Sequence, residues 1–214
     1  MSAEHQSDRD NEQREDDEEK YDENERTFDI TEYSIFNEES FLQIQNNDRS
    51  CTAITIPWGD FSNSIDWASD SNMLLFENND QLKSIDISGL YNEEEDDETP
   101  DQNTQNNIKA FFKAISNNRS IETFAIGECN LRFNLSNVFS DMSPFFENNN
   151  NLRNIGLLES YIGNSNYSLL ASSLKKRSNK SSLKMLMIER DDNIKYKVAE
   201  ELITSLEGYY NLVR

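Results

Sequence analysis

The sequence contains a single histidine, His5, and only two cysteines among its 214 residues. A Ser–His–Asp or Cys–His catalytic arrangement needs an oriented imidazole base, and a zinc site that uses histidine needs it among fixed ligands. One histidine in an acidic N-terminal segment supplies neither. The phosphate-binding patterns G-x-G-x-x-G and G-x-x-x-x-G-K-[ST] are also absent. We therefore expect no enzymatic activity, no metal site and no cofactor.

Basic residues and long apolar runs are scarce as well. The chain has 20 Lys and Arg against 41 Asp and Glu, a formal net charge of −21. Binding nucleic acid irrespective of its sequence needs a basic surface, and so does docking on anionic lipid, so we expect neither as a partner. No apolar run approaches the about 20 residues of a membrane-spanning helix, and the first 27 residues have no signal-peptide core. We expect an intracellular protein, in the cytoplasm or the nucleus.

The composition divides the chain at about residue 27. Residues 1–27 hold 12 acidic and 4 basic side chains and almost no apolar ones, so they bury too little surface to offset chain entropy. We predict a disordered acidic head at 1–27 and a folded domain at 28–214. A second acidic run, residues 92–101, lacks the D-x-[DN]-x-[DN]-G spacing of a calcium loop. We expect it to be a solvated insertion in the folded domain.

A six-residue pattern of the form L-x-x-L-x-L recurs through the folded domain. Its starts are Cys51, Leu82, Ile121, Leu152 and Leu183, with a truncated sixth start at Leu212. The starts lie 31, 39, 31, 31 and 29 residues apart, and the long interval contains the acidic insertion. Repetition at a fixed period of this size is typical of stacked repeat folds.

The residues upstream of each start predict a helix. Two mostly apolar columns stand nine and six residues before the starts, and positions three apart share one face of a helix. The column nine residues before the starts holds Leu42, Met73, Phe112, Ser143, Leu174 and Ile203. The column six residues before the starts holds Gln45, Phe76, Ile115, Phe146, Arg177 and Leu206. Four residues before the starts stand residues that favour the left-handed end of a helix: Asn47, Asn78, Asn117, Asn148, Asn179 and Gly208. Ser143 and Arg177 interrupt the apolar columns, and we expect their helices to pack less well.

This repeat resembles the leucine-rich repeat family, in its longer, ribonuclease-inhibitor-like form with a helix in each repeat. The family pattern continues as L-x-x-L-x-L-x-x-(N/C)-x-L, and the best match is IETFAIGECNL, with Cys129 at the (N/C) position. Ser160 and Asp191 stand there in the next two units. The resemblance covers about residues 35–214. It implies an α/β fold, a short curved solenoid of about five repeats with a parallel sheet on the concave side and helices on the convex side.

The two cysteines lie in core or strand-turn columns of this repeat, two units apart. We expect Cys51 and Cys129 to be small buried hydrophobic residues without a disulfide between them.

The x positions of the strands and the residues just after them are expected to face the concave surface. They include an aromatic, Met and Leu patch rimmed by charge, which is typical of a protein-binding surface. The candidate partner-binding residues are Trp58, Asp86, Glu128, Leu158, Glu159, Met187 and Arg190. An alternative place for Trp58 is under the first repeat, as a cap formed with Trp67.

We therefore predict non-catalytic recognition of another protein through the concave face and rim. One alternative is an acidic regulator or chaperone-like binder of basic proteins, since residues 1–27 and 92–101 attract opposite charge over a Debye length of about 8 Å. A second alternative is a GTPase-regulating repeat protein, with Arg190 aimed at phosphate from the rim. The cations Lys175, Lys176, Arg177 and Lys180 are expected to complement a helix C-terminus; their alternative is a dock for an acidic partner or the acidic head.

Overall fold

The computed structural model describes residues 34–57, 67, 69–88, 102–127, 138–158, 162–189 and 194–212. All of them belong to one compact unit, Thr31–Arg214. The acidic head predicted at 1–27 and the insertion predicted at 92–101 lie outside these ranges, so both remain predictions. Within the described ranges, no helix has the length and apolar character needed to cross a membrane.

In the described ranges, six parallel strands form one sheet in sequential order from β1 to β6. They are β1 (Ser34–Ile35), β2 (Ala53–Pro57), β3 (Ser84–Ser88), β4 (Thr123–Gly127), β5 (Asn154–Leu158) and β6 (Met185–Glu189). Each of the five complete L-x-x-L-x-L segments supplies one of the strands β2 to β6, which confirms the predicted strands. Leu212, the truncated sixth start, lies in no strand and packs partly buried against the core.

The sequence pattern does not predict β1. Ser34 pairs with Ile54, so a polar residue stands where the later repeats have an apolar one. Only Phe36 matches the pattern: it is buried, and its N–H donates to the carbonyl of Thr55 at 2.8 Å. Strand β1 is therefore identified by its pairing with β2 and not by its sequence pattern.

One helix follows each strand, and consecutive helices pack against each other. The helices are α1 (Glu38–Gln45), α2 (Asp70–Asn78), α3 (Gln102–Ser116), α4 (Val138–Asn148), α5 (Asn164–Lys176) and α6 (Tyr196–Ser205). Polar caps begin two of them: Oδ1 of Asn37 accepts from the N–H of Ser40 at 2.9 Å, and Oγ of Ser69 accepts from the N–H of Asn72. Stacked strand–helix units with one parallel sheet confirm the predicted α/β repeat solenoid.

The core lies between the sheet and the helices. The strand residues that face the helices are fully buried in β2 to β5: Ile54, Ile56, Ile85, Ile87, Phe124, Ile126, Ile155 and Leu157. Aromatic rings extend this core along the stack. The ring centroid of Trp67 lies 5.1 Å from that of Phe36 and 5.4 Å from that of Phe111. Trp67 is thus a core residue of the first repeats, whereas Trp58 lies outside the described ranges.

The first of the two predicted helix columns is exposed on α1 and α6, whereas most members of both columns are buried in the repeats between. Phe112, Ile115 and Phe146 are fully buried, but Leu42 is 55% and Ile203 is 70% exposed. The exposed pair lies on α1 and α6, the first and last helices of the described stack. A column position therefore becomes core only where repeats pack on both sides of it.

Residues of the Asn and Gly column lie at or near most of the helix ends, but most of them do not have the left-handed backbone expected there. Asn78 and Asn148 are the last residues of α2 and α4, and Asn117 directly follows α3. Within this column, however, only Asn47 (φ 51°) and Gly208 (φ 87°) have left-handed backbone among the described residues. The middle helices end differently, because the next residue along, a buried asparagine, satisfies backbone groups through its side chain.

Asn118 shows how these buried asparagines work. It is fully buried, and its Nδ2 donates to the carbonyls of Phe76 at 2.7 Å and Asn79 at 2.8 Å. Its Oδ1 accepts from the N–H groups of Ser120 at 2.8 Å and Ile121 at 3.1 Å. The last carbonyls of a helix have no partner within the helix, so Asn118 joins its own loop to the end of α2. Asn79 and Asn149 are buried at the equivalent positions and also donate to the preceding repeat.

Arg177 directly follows α5 and plays the same part there, which corrects the expectation that it disturbs packing. It is only 2% exposed, and its guanidinium donates to the carbonyls of Phe146 at 2.6 Å, Asn149 at 2.5 Å and Leu152 at 3.2 Å. The equivalent carbonyls two repeats earlier accept from Asn118 and Ser120. One long side chain therefore replaces an Asn–Ser pair. Burial lowers the pKa of Arg177.

Tyr209 lies in the turn that follows α6, where it packs against α5. It is 8% exposed, and its hydroxyl donates to the carbonyl of Leu174 at 2.7 Å. Burial raises the pKa of Tyr209 from 10.0 to about 12. The folded chain therefore favours the neutral phenol.

We expect the Tyr209→Phe protein to be less stable than the unmodified protein by about 1 kcal/mol at neutral pH, since it lacks one hydrogen bond. Above pH 10 this difference should shrink, because the unfolded chain ionises there while the folded chain keeps its proton to about pH 12. Urea unfolding at pH values on both sides of 10 measures it. Tyr210→Phe is the matched control, since Tyr210 is 91% exposed. A difference that does not change with pH would contradict a buried neutral phenol.

Candidate protein-binding surface

Alternate residues of strands β2 to β6 point away from the helices, and we call this side of the sheet the open face. The strand register sets its residues in three rows. The first row is Ala53, Ser84, Thr123, Asn154 and Met185. The middle row is Thr55, Asp86, Ala125, Gly156 and Met187. The last row is Pro57, Ser88, Gly127, Leu158 and Glu189.

Three of the seven candidate binding residues lie on this open face. Asp86 and Met187 belong to the middle row and Leu158 to the last row, and all three are partly buried. The other four candidates directly follow β2, β4, β5 and β6 and lie outside the described ranges: Trp58, Glu128, Glu159 and Arg190. The binding role of all seven residues stays a prediction.

The character of the open face changes along the stack. Its middle row is polar at Thr55 and Asp86, has small buried residues at Ala125 and Gly156, and ends in Met187. Apolar side chains gather at the C-terminal end, where Leu158, Met185 and Met187 stand on the neighbouring strands β5 and β6. Neighbouring strands lie about 4.8 Å apart, and Leu158 stands diagonally across from Met187 in the register. We call these three side chains the Met–Leu patch.

The charges on the open face itself are negative. Asp86 and Glu189 are its ionisable residues, and none of the three rows contains a lysine or an arginine. At the edge where the strands begin, a charged rim consists of Lys83, Glu122, Arg153 and Lys184, each one residue before its strand. Nε of Arg153 lies 3.3 Å from Oε2 of Glu122 in a partly exposed ion pair, which contributes little to stability. The rim gives specificity to a contact more readily than affinity.

The charged rim and most of the first row are not among the binding residues predicted from the sequence. In the first row, Nδ2 of Asn154 donates to Oγ1 of Thr123 at 3.0 Å across β4 and β5. The first row occupies the third position of each L-x-x-L-x-L segment, two residues before the middle row, so the two-residue alternation identifies it. The rim occupies the second position, which the alternation does not assign to the same face.

The described residues hold no arrangement suited to metal or thiol chemistry. No group of three or more His, Cys, Asp and Glu side chains in these ranges lies in position to hold a metal ion. Cys51 is buried and free of a disulfide, as expected of a small hydrophobic residue. Burial raises the pKa of the Cys51 thiol, with a smaller contribution from Asp48, so it stays neutral and unreactive. Cys129 lies outside the described ranges.

Neither family models nor curated proteins match the chain. Among solved structures, the chain is similar to the tropomodulin C-terminal domain of Caenorhabditis elegans, with 10% sequence identity and a TM-score of 0.44. The alignment covers 81% of this chain and 92% of that one. The fold assignment rests on the strand register and helix packing of this chain itself.

Proposed function

We propose that this protein is a non-catalytic recognition module of the ribonuclease-inhibitor-like leucine-rich repeat type, which binds another protein through the open face and its rim. The observation that carries the proposal is the register of β2 to β6, which sets side chains from five strands in ordered rows. A stack of repeats holds such rows on a rigid support. Binding then orders few groups that were mobile before, which lowers the entropy cost of association.

The Met–Leu patch is the part of the open face suited to supply affinity. Leu158, Met185 and Met187 are partly buried side chains and do not belong to the fully buried core. Interface energy concentrates in a few apolar or aromatic anchors surrounded by polar groups. Asp86 and Glu189 on the same face, and the cations of the rim, surround the patch with charge.

The net charge of −21 favours a partner with a basic surface. Acidic segments at 1–27 and 92–101 attract such a partner from beyond contact distance, which raises the rate of association more than the affinity. In this proposal, the acidic segments speed the approach of the partner, and the open face makes the contact with it.

Replacing Leu158 and Met187 together by aspartate is expected to weaken partner binding by about tenfold or more, because a charge buried in an apolar contact costs at least about 1.4 kcal/mol. The partner is captured from native lysate with the unmodified chain, purified, and titrated by calorimetry against both proteins. Leu74→Asp is the matched control, since Leu74 is 52% exposed on α2, away from the open face. Equal affinity of the double variant and the control would refute binding through the Met–Leu patch.

Two further variants separate the alternative functions. Deleting residues 1–27 is expected to slow association with little change in dissociation, whereas an acidic regulator of basic proteins loses binding outright and shows a steep salt dependence. Arg190→Ala is expected to leave any GTP hydrolysis by the captured partner unchanged. A loss of stimulated hydrolysis in Arg190→Ala supports the GTPase-regulating alternative instead.

A further inference from the structure

The turn between α5 and β6 contains three serines, and one of them has a free, exposed hydroxyl. Oγ of Ser181 donates to Oδ1 of Asn179 at 2.7 Å. Oγ of Ser182 donates to the carbonyl of Asn179 at 3.1 Å and accepts from the guanidinium of Arg177 at 2.7 Å. Ser178 is exposed, and within the described ranges its hydroxyl makes no hydrogen bond. Ser178 therefore presents an accessible oxygen that can react.

Ser178 also directly follows a run of cations. Lys175, Lys176 and Arg177 occupy the three positions before it, and no other serine or threonine of the chain has Lys or Arg both two and three residues upstream. Lys175 and Lys176 are exposed in the last turn of α5, whereas Arg177 is buried. The two lysines are thus the part of this run that another protein can contact.

Glutamates lie near both lysines but do not bury them. Nζ of Lys176 lies 3.2 Å from Oε1 of Glu147, and the lysine side chain is still 63% exposed. Lys175 lines an open cleft that also contains Lys197, Glu200 and Glu201. Surface ion pairs of this kind contribute little. Both ammonium groups therefore stay available to an acidic site on a second protein.

The backbone leaves the helix just before Ser178. Helix α5 ends at Lys176, and Arg177 has a non-helical backbone with φ −55° and ψ 125°. The last carbonyls of a helix have no partner within the helix, so its final turn opens more easily than its middle. An enzyme that needs the segment around Ser178 in extended form therefore disturbs few contacts of α5.

We propose that Ser178 is a phosphorylation site for a protein kinase that recognises basic residues on the N-terminal side of its target. Acidic groups of the kinase contact Lys175 and Lys176. Oγ of Ser178 attacks the γ-phosphorus of ATP, the bond from that phosphorus to the leaving oxygen of ADP breaks, and an aspartate of the kinase takes the hydroxyl proton. This inference is independent of the proposed function, because Ser178 lies outside the open face.

The phosphate changes the charge of this turn. It carries nearly two negative charges at pH 7, and Lys175, Lys176 and Lys180 stand two or three residues from it. Neighbouring cations favour the dianion, so the second pKa of the phosphate should fall below its ordinary value of about 6. Phosphorylation thus converts an exposed group of positive charges into a nearly neutral one.

Phosphorylation of the folded full chain tests the proposal. Cyclic-AMP-dependent protein kinase, which prefers basic residues upstream of its target, is supplied with ATP, and mass spectrometry locates the phosphate. We expect phosphate on Ser178 and its loss in Ser178→Ala. Ser181→Ala is the matched control, since it removes another exposed serine of the same turn, and it should keep the full rate. Equal incorporation into the unmodified chain and Ser178→Ala overturns the proposal.

The role of the two lysines has its own test. Replacing Lys175 and Lys176 together by alanine should lower kcat/KM for phosphorylation by about tenfold or more, since the kinase loses two charge contacts. Replacing Lys109 and Lys113 together is the control, because both are exposed lysines of α3. Equal values of kcat/KM for the two double variants contradict recognition through Lys175 and Lys176.

A last pair of measurements asks whether the fold admits the kinase and pairs the phosphate. A synthetic peptide of residues 172–182 carries the same target without the fold. If the folded chain reacts at less than about one hundredth of the peptide's rate, local opening is too rare and the fold conceals Ser178, so the proposal is wrong. Phosphorus NMR of the modified chain gives the second pKa, and a value of about 6 or above contradicts pairing with the lysines.

Discussion

Replacing Arg177 by alanine is expected to lower the free energy of unfolding by about 2–4 kcal/mol, because it leaves buried backbone carbonyls without their donor. The guanidinium is 2% exposed and donates to the carbonyls of Phe146, Asn149 and Leu152. Alanine removes this donor from buried carbonyls, of which that of Asn149 keeps the N–H of Leu152 at 3.2 Å. Each buried group left unsatisfied costs about 1–3 kcal/mol. Because the acceptors lie at the end of α4 and in the loop that follows it, whereas Arg177 directly follows α5, the loss weakens the link between these two neighbouring repeats.

Urea unfolding followed by circular dichroism measures this loss. Lys176→Ala is the matched control, because the neighbouring Lys176 side chain is 63% exposed and its ion pair with Glu147 lies at the surface; we expect a change of at most about 0.5 kcal/mol. Arg177→Lys keeps the charge but not the planar fork of donors, so it should fall between the two. An Arg177→Ala protein as stable as the control would show that the guanidinium is no structural link.

Asn118→Ala is expected to cost about 2–4 kcal/mol, because it leaves one carbonyl and two N–H groups unsatisfied in a buried loop. The carbonyl is that of Phe76, and the N–H groups are those of Ser120 and Ile121. The carbonyl of Asn79 keeps Oγ of Ser120 as a donor at 2.8 Å. Asn117→Ala provides a control of the same residue type one position away, since Asn117 is exposed, and should change stability by less than about 0.5 kcal/mol. Equal denaturation midpoints for the two variants would contradict the role of Asn118.

Asn118→Asp separates the acceptor from the donor role of this side chain. Aspartate keeps the oxygen that accepts from Ser120 and Ile121, but its second oxygen faces the carbonyls of Phe76 and Asn79. Burial and these carbonyls disfavour the anion, so the pKa of the new carboxyl rises above its unfolded value of about 3.9. The variant should therefore lose stability, relative to Asn118→Ala, as the pH rises through about 4 and beyond. Unfolding at acidic and neutral pH measures the difference.

These buried polar groups also matter for the proposed function. Each one joins the residues that follow one helix to the end of the helix one repeat earlier, and so holds neighbouring repeats in register. The rows of the open face depend on that register. We expect the Arg177 and Asn118 variants to affect binding only through stability, in contrast to the variants of the Met–Leu patch.

Much of the fold follows from local pattern. The spacing of L-x-x-L-x-L segments predicted strands β2 to β6, since apolar residues at a fixed period bury themselves only by stacking. The same alternation assigned Asp86, Leu158 and Met187 to the face opposite the helices. The pattern did not predict strand β1, because Ser34 stands in an apolar column. Only the pairing of Ser34 with Ile54 identifies this strand.

The interactions between repeats were decided by the tertiary structure. Arg177 was expected to disturb its helix and instead bonds the preceding repeat, because a residue type does not reveal which distant carbonyls lack donors. For the same reason the conspicuous Asn117 is exposed, while its neighbour Asn118 holds two repeats together.

Leu42 and Ile203 have the same column pattern as Phe112, yet only Phe112 is core, since burial depends on a repeat being present on either side. Periodicity therefore determined which elements form and which way their side chains alternate. Three-dimensional stacking alone determined which polar groups are satisfied and which apolar groups remain exposed, because both depend on atoms far away in the chain.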